Sequence, residues 1–270
     1  MPSRFLLIAF LSFAFCRAAP PAPLVSALEY LRDQKSYSWE VINADPGPVA
    51  QQFETRRGTV TTVQQSTAPN VKGSVDRNGN MLIRREWTDG LRLETIIMAD
   101  GTTLTKTPEG WMTDREILTA QAAERVSAQG LTARAIWLRR ADRPDLRRPD
   151  QELAPLLKTP GPFTAAGDSY TVSAVIRPAG SGKAKEEDSQ PPTHVTITMN
   201  LRGGVIRDYE IKIEATRPVT RARVQVPISE QRIVVLTYLP VSKIDIPYEA
   251  EQKLRASKPA AGGRRESTGS

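Results

Sequence analysis

In Val195-Thr196-Ile197-Thr198-Met199-Asn200-Leu201 the odd positions are apolar and the even ones polar. A period of two sends one row of side chains into a core and the other into water, as in an antiparallel strand with one wet face. Tyr209, Ile211 and Ile213 repeat the pattern between Asp208, Glu210, Lys212 and Glu214, and Tyr170, Val172, Ala174 and Ile176 repeat it again. Arg223–Val226 and Arg232–Leu239 add two further strands, and the charged stretch from Gly180 to Pro192 is expected to be a hairpin loop.

Strand signals also fill the region nearer the N-terminus. Tyr37–Asn43 reads as a strand ending at the turn Asp45-Pro46-Gly47-Pro48, and the Thr- and Val-rich Phe53–Ser66 as a strand or a bent pair. Asp76-Arg77-Asn78-Gly79-Asn80 joins Val71–Val75 to Met81–Trp87. Its Asn-Gly predicts a type I′ hairpin. Thr88-Asp89-Gly90 and Asp100-Gly101 continue the meander into Leu91–Met98 and Thr102–Lys106.

Helical periodicity is confined to four places. Leu24, Ala27, Leu28 and Leu31 form a stripe running to about Lys35. Three more segments lie mid-chain: one from Asp114, expected as N-cap, to about Val126, one over Thr132–Arg139, and one starting at Arg148-Pro149 and reaching Lys158. The fold class is therefore α+β, with about nine to eleven antiparallel strands. The mid-chain helices are expected to cover one face of a sheet wide enough to curl.

The 270-residue chain has one Cys and one His, which removes most zinc and thiol chemistry, and no cofactor motif stands out. Residues 1–18 read as a signal peptide: Arg4, then the apolar run Phe5–Phe15, then Cys16-Arg17-Ala18 as a small-x-Ala cleavage site. The run is shorter than the roughly 20 residues of a membrane span. Phe15 directly before Cys16 argues against lipidation there, so the mature protein is expected to be periplasmic or secreted. Residues 19–256 form the expected single domain and 257–270 a disordered tail. The net charge of +7 owes much to Arg4 and Arg17 in the signal and Lys258, Arg264 and Arg265 in the tail. The body is near balance, which points away from nucleic acid.

No stretch states a reaction. Pro178-Ala179-Gly180-Ser181-Gly182-Lys183 lacks the first Gly of a phosphate loop, and Ala184 stands where a Ser or Thr would hold magnesium. In Asp76–Trp87 the Gly falls at the wrong place for a calcium loop, and Trp87 replaces the closing Glu. His194 shares the polar side of its strand with Thr196 and Thr198, without a nucleophile elbow anywhere. Asp142/Asp145 and Glu186/Glu187 sit in charged loops with nothing to desolvate them. The expectation is a protein without catalytic residues, and a hydrolase built on His194 ranks last.

Two sets of residues are candidates for binding. Met81, Ile83, Trp87, Leu93, Val195, Ile197 and Met199 occupy the apolar side of the sheet, where they line either a cavity for a hydrophobic ligand or a packed core. Arg139, Arg140, Arg143, Arg147 and Arg148 make a basic cluster, read either as an anion or phospholipid head-group patch or as a solvated loop with internal Arg–Asp pairs.

An export signal, one leading helix, a strand meander, Glu109-Gly110-Trp111, short helices and returning strands closing on Val235-Leu236-Thr237-Tyr238-Leu239-Pro240-Val241 and Ile244-Asp245-Ile246-Pro247 resemble the LolA/LppX-like periplasmic lipoprotein carriers. The resemblance covers roughly residues 24–254 and rests on the order of elements. It implies an incomplete β-barrel whose concave face is covered by helices and holds lipid or the acyl chains of lipoproteins, with peripheral membrane contact. The alternative expectation is an envelope protein-binding or structural module with a fully packed core.

Overall fold

The computed structural model describes residues 19–44, 49–55, 58–64, 68–127, 132–141, 147–158, 162–176, 192–219 and 224–257. The expected signal peptide, the loop 180–191 and the tail beyond Ser257 lie outside them. In chain order the elements are α1 (Ala22–Asp33), β1 (Tyr37–Ala44), β2 (Val49–Thr55), β3 (Gly58–Gln64), β4 (Asn70–Val75), β5 (Met81–Glu86), β6 (Arg92–Ile97), β7 (Thr103–Thr107) and β8 (Gly110–Thr113). There follow α2 (Asp114–Ser127), α3 (Ala133–Ala141), α4 (Pro149–Lys158), β9 (Phe163–Ala166), β10 (Ser169–Ile176), β11 (Thr193–Arg202), β12 (Val205–Val219), β13 (Val224–Thr237) and α5 (Tyr248–Ser257).

The fold is α+β, with one antiparallel sheet of eleven strands in the order β8-β7-β6-β5-β4-β1-β13-β12-β11-β10-β9. The sheet is open, since β8 and β9 end it without pairing. β2 and β3 form a separate two-stranded sheet; it is an antiparallel pair that begins at Val49, four residues before the stretch Phe53–Ser66 expected as a strand or a bent pair. By packing the chain falls into two compact units, one of Met1–Gln34, Ser38–Lys72 and Arg147–Tyr238, the other of Lys35–Tyr37, Gly73–Leu146 and Leu239–Ser270.

In the first unit the expected alternation becomes a register. Tyr170, Met199, Tyr209 and Val234 stand side by side across β10–β13, and Val172, Ile197 and Ile211 make the next row. Leu24, Ala27, Leu28 and Leu31 of α1 are all buried, and α1 packs on α4 and β12. Each fully buried side chain of this size contributes about 1.5–3 kcal/mol. The opposite face is polar, with hydroxyl pairs Thr171–Thr198 at 3.2 Å and Ser173–Thr196 at 3.3 Å. The two strands expected at Arg223–Val226 and Arg232–Leu239 are one, β13, despite Pro227. Its pairing with β1 covers Gln231–Thr237, so among the described residues Pro227 lies on a stretch paired with β12 alone. A missing N–H is tolerated on such a stretch.

The second unit is built on three hairpins of one design. Gly79, Gly90 and Gly101 have φ of 82°, 85° and 83°. Each donates its N–H to the carbonyl three residues back: Asp76, Trp87 and Met98. Asp76 N–H in turn reaches Asn80 C=O at 3.0 Å, so the loop has three residues with glycine in the left-handed bulge position, and the expected type I′ turn is corrected. The Asp76 carboxylate fixes this choice by accepting Asn78 N–H at 2.9 Å and Asn80 N–H at 3.0 Å. The N-cap of α2 also moves by one residue. Thr113 Oγ1 accepts Glu116 N–H and Glu116 Oε2 accepts Thr113 N–H, the reciprocal pair of a Thr-x-x-Glu capping box.

Helices pack on both faces of this unit's strands: the mid-chain α2 and α3 on one, and α5 on the other. β6 is the reason: Leu93 and Ile96 are both buried yet three positions apart, hence on opposite faces. Leu93 packs with Trp87, Ile117 of α2 and Trp137, Leu138 and Ala141 of α3. Ile96 packs with Leu104, Trp111 and Ala250 and Leu254 of α5. α5 was not expected, and it takes in Ser257, the first residue of the expected tail.

Candidate functional site

The seven apolar candidates divide between the two units. Met81, Ile83, Trp87 and Leu93 belong to the second, Val195, Ile197 and Met199 to the first. Trp87 and Leu93 are buried in the α2–α3 cluster, Ile83 is buried and Met81 half-buried. Met199 and Val195 are buried and Ile197 half-buried on the apolar face of β11.

The arginines divide as well. Arg140 donates to Asp89 at 2.6 Å and lies 5.2 Å from the Trp87 ring centre. Arg148 donates to Asp150 at 2.7 Å. Arg139 and Arg147 are exposed, and Arg143 lies outside the described residues. Arg139 and Arg140 fall in one unit and Arg147 and Arg148 in the other. Arg140 and Arg148 thus pair with Asp89 and Asp150, and Asp142 and Asp145, the acids within the expected loop, lie outside the described residues.

Three side chains in the first unit form an arrangement that residue type alone did not single out. Tyr209, fully buried on β12, donates its hydroxyl to Glu152 Oε2 of α4 at 2.7 Å. Arg232 of β13 donates from Nη2 to Glu152 Oε1. Arg232 pairs in register with Ile211 and lies two positions from Val234, so it shares the apolar face with Tyr209. Its Nε is buried and has no hydrogen-bond partner among the described residues. Leu153 and Leu156 of α4 are buried, and the helix packs on α1. Its Glu152 carboxylate reaches the sheet at Tyr209 and Arg232. The sequence did carry a signal, since an arginine sits in phase with Val234 and Leu236 where the alternation asks for an apolar residue.

The second unit holds a parallel case with a structural explanation. Arg85 lies in phase between Ile83 and Trp87 and is 5% exposed. Its Nη1 donates to Arg140 C=O at 2.9 Å, and Gln121 Nε2 donates to Leu138 C=O at 2.9 Å. Both carbonyls belong to the last turn of α3, which has no intrahelical donors for them and favours a cation. Arg85 Nη2 also reaches Thr95 Oγ1 at 3.4 Å, and its guanidinium lies 5.6 Å from the Trp87 ring centre.

The strap between β13 and α5 is held by specific acceptors. Ser36 Oγ accepts Val241 N–H at 2.8 Å, and Asp76 Oδ2 accepts Ile244 N–H at 3.1 Å. Burial works to raise the Asp76 carboxyl, but the donors of Ile244, Asn80 and Asn78 outweigh it and hold its pKa below the ordinary range. Glu116 behaves alike: burial raises it, while Lys253 and Thr113 bring it lower overall. A groove of about 770 Å³ opens beside β8 and α5, edged by Glu109, Trp111, Glu116 and Glu249. Its charges meet one another, Glu116 with Lys253 at 2.5 Å and Glu109 with Arg134 at 2.5 Å.

His194 is exposed, opposite Glu214 in the register. Among the described residues no group of three or more His, Cys, Asp or Glu is placed to hold a metal, and no helix is long and apolar enough to cross a membrane. No protein-family model matches the sequence, and no curated protein matches it either.

Proposed function

We propose that this is an exported, non-enzymatic binding protein that holds an acyl chain or comparable apolar ligand on the apolar face of β10–β13, beneath α1 and α4. The observation that carries the reading is the covering of that face. An open antiparallel sheet presents rows of large apolar side chains, and α4 brings the Glu152 carboxylate to Tyr209 and Arg232 on that face. A ligand chain offers the same kind of surface as those rows, so burying one against the other is favourable. In this reading the sheet is the incomplete barrel of the lipoprotein carriers, its bound partner is lipid or a lipoprotein acyl chain, and membrane contact is peripheral.

Organic extraction of the purified protein followed by mass spectrometry is the test, with titration by a fluorescent fatty acid as its complement. Recovery of a lipid in near-stoichiometric amount, or saturable uptake of the probe, is expected. Empty protein that also refuses the probe would overturn the reading. One observation favours a second reading, an envelope module that works through its surface alone: Trp87 and Leu93, candidates for cavity lining, are packed against α2 and α3. Under that reading both measurements come back empty.

A further inference from the structure

We propose that Tyr209 and Arg232 are the head-group site of the bound ligand, and that the ligand is a free fatty acid received through its carboxylate. The inference rests on the apolar-ligand reading above and adds a chemical class to it. Tyr209 hydroxyl and Arg232 guanidinium are both donors, they share the apolar face, and they already hold a carboxylate, that of Glu152. Glu152 comes from α4, which packs on α1, and stands where the ligand's own carboxylate belongs.

The fit of Glu152 is incomplete in a way that a ligand repairs. One of its oxygens goes to Tyr209 and the other to Arg232 Nη2, which leaves Arg232 Nε–H buried without an acceptor among the described residues. Nε and Nη2 form one edge of the guanidinium, a fork that matches the two oxygens of a carboxylate. Glu152 fills one tine. A fatty-acid carboxylate fills both, with the Tyr209 hydroxyl as a third donor. The Arg232 side chain keeps 39% of its surface exposed, whereas Tyr209 and Met199 beside it have none. Polar reception at an accessible edge followed by a buried apolar row suits a molecule with one charged end and one chain.

The exchange is balanced in charge: one carboxylate leaves Arg232 as another arrives, so the guanidinium is never left bare in an apolar setting, where it would be costly. α4 is suited to give way, because Pro155 inside it lacks the N–H that would bond back along the helix.

The test is calorimetric titration of the full chain with oleate and with methyl oleate, which has the same chain and no acid. The wild-type protein is expected to prefer oleate by about tenfold or more, the usual weight of a charge-assisted hydrogen bond. Arg232→Gln should abolish the preference and leave methyl oleate unchanged. Glu152→Gln removes the internal competitor's charge and should tighten oleate alone. Equal binding of the two ligands by the wild-type protein would overturn the head-group site while leaving the apolar-ligand reading standing. So would an Arg232→Gln protein that keeps the preference. Binding of neither would overturn both. The wild-type comparison needs no variant to fold, and circular dichroism checks the variants.

Discussion

Trp87→Ala tests the packing of the second unit. The indole is 6% exposed and belongs to one buried cluster with Leu93, Ile117, Trp137 and Leu138. Removing a packed aromatic of this kind costs about 3–5 kcal/mol, from lost transfer free energy and the cavity left behind. Two guanidiniums, of Arg85 and Arg140, lie 5.6 Å and 5.2 Å from the ring centre; such a contact adds about 0.5–1 kcal/mol at an exposed site and about 2 kcal/mol for a desolvated cation, as Arg85 is. The total is then near the upper end of that range. Urea unfolding followed by circular dichroism reads it directly: with a slope of about 2–3 kcal/mol per molar, the midpoint falls by about 2 M. Leu239→Ala is the control, because Leu239 is 72% exposed. It should change stability by less than about 0.5 kcal/mol. A Trp87→Ala cost below about 1.5 kcal/mol would refute the packed cluster and return Trp87 to the lining of an open cavity.

Arg85→Met keeps the length of the side chain and loses its donors, leaving the Arg140 carbonyl without its cation. A loss of about 2–4 kcal/mol in the same unfolding assay is expected. Asp76 sets a pH dependence: its folded pKa is depressed, so its contribution is full above the unfolded value of about 3.9 and fades as pH falls through the lower folded value. Melting temperatures from pH 7 to pH 2 should therefore drop in acid for the wild-type protein. Asp76→Asn should be less stable at pH 7 and flatter across that range, and parallel curves would contradict this. Thr113→Ala opens the capping box of α2 and should cost about 1 kcal/mol in thermal melts.

Much of the fold was legible because its signals are periodic. The apolar rows of β10–β12 and the stripe Leu24, Ala27, Leu28, Leu31 fell out of spacing alone. So did the three turn glycines, although the Asn-Gly at 78–79 suggested the wrong hairpin because the deciding bond comes from Asp76, outside the pair. Short or weakly apolar elements escaped. β8 has four residues, and α5 buries only Ala250 and Leu254, too few for a stripe. Of the candidate site, Ile197, Met199 and Val195 were visible as apolar positions. Tyr209 was visible in the same way, but its link to Glu152 and Arg232 was not, since the pairs are 57 and 80 residues apart and no spacing rule connects a helix acid to a strand cation. The trace they left was the in-phase arginine, and Arg85 shows that such a trace has structural as well as functional causes.

The measurement that bears most directly on the central claim is photo-crosslinking by a fatty acid carrying a diazirine in its chain, with the labelled peptides identified by mass spectrometry. The account predicts saturable labelling of β11 and β12 around Met199, Tyr209 and Ile211, displaced by unlabelled oleate. Labelling confined to exposed side chains such as Leu239, or none that oleate displaces, would contradict it.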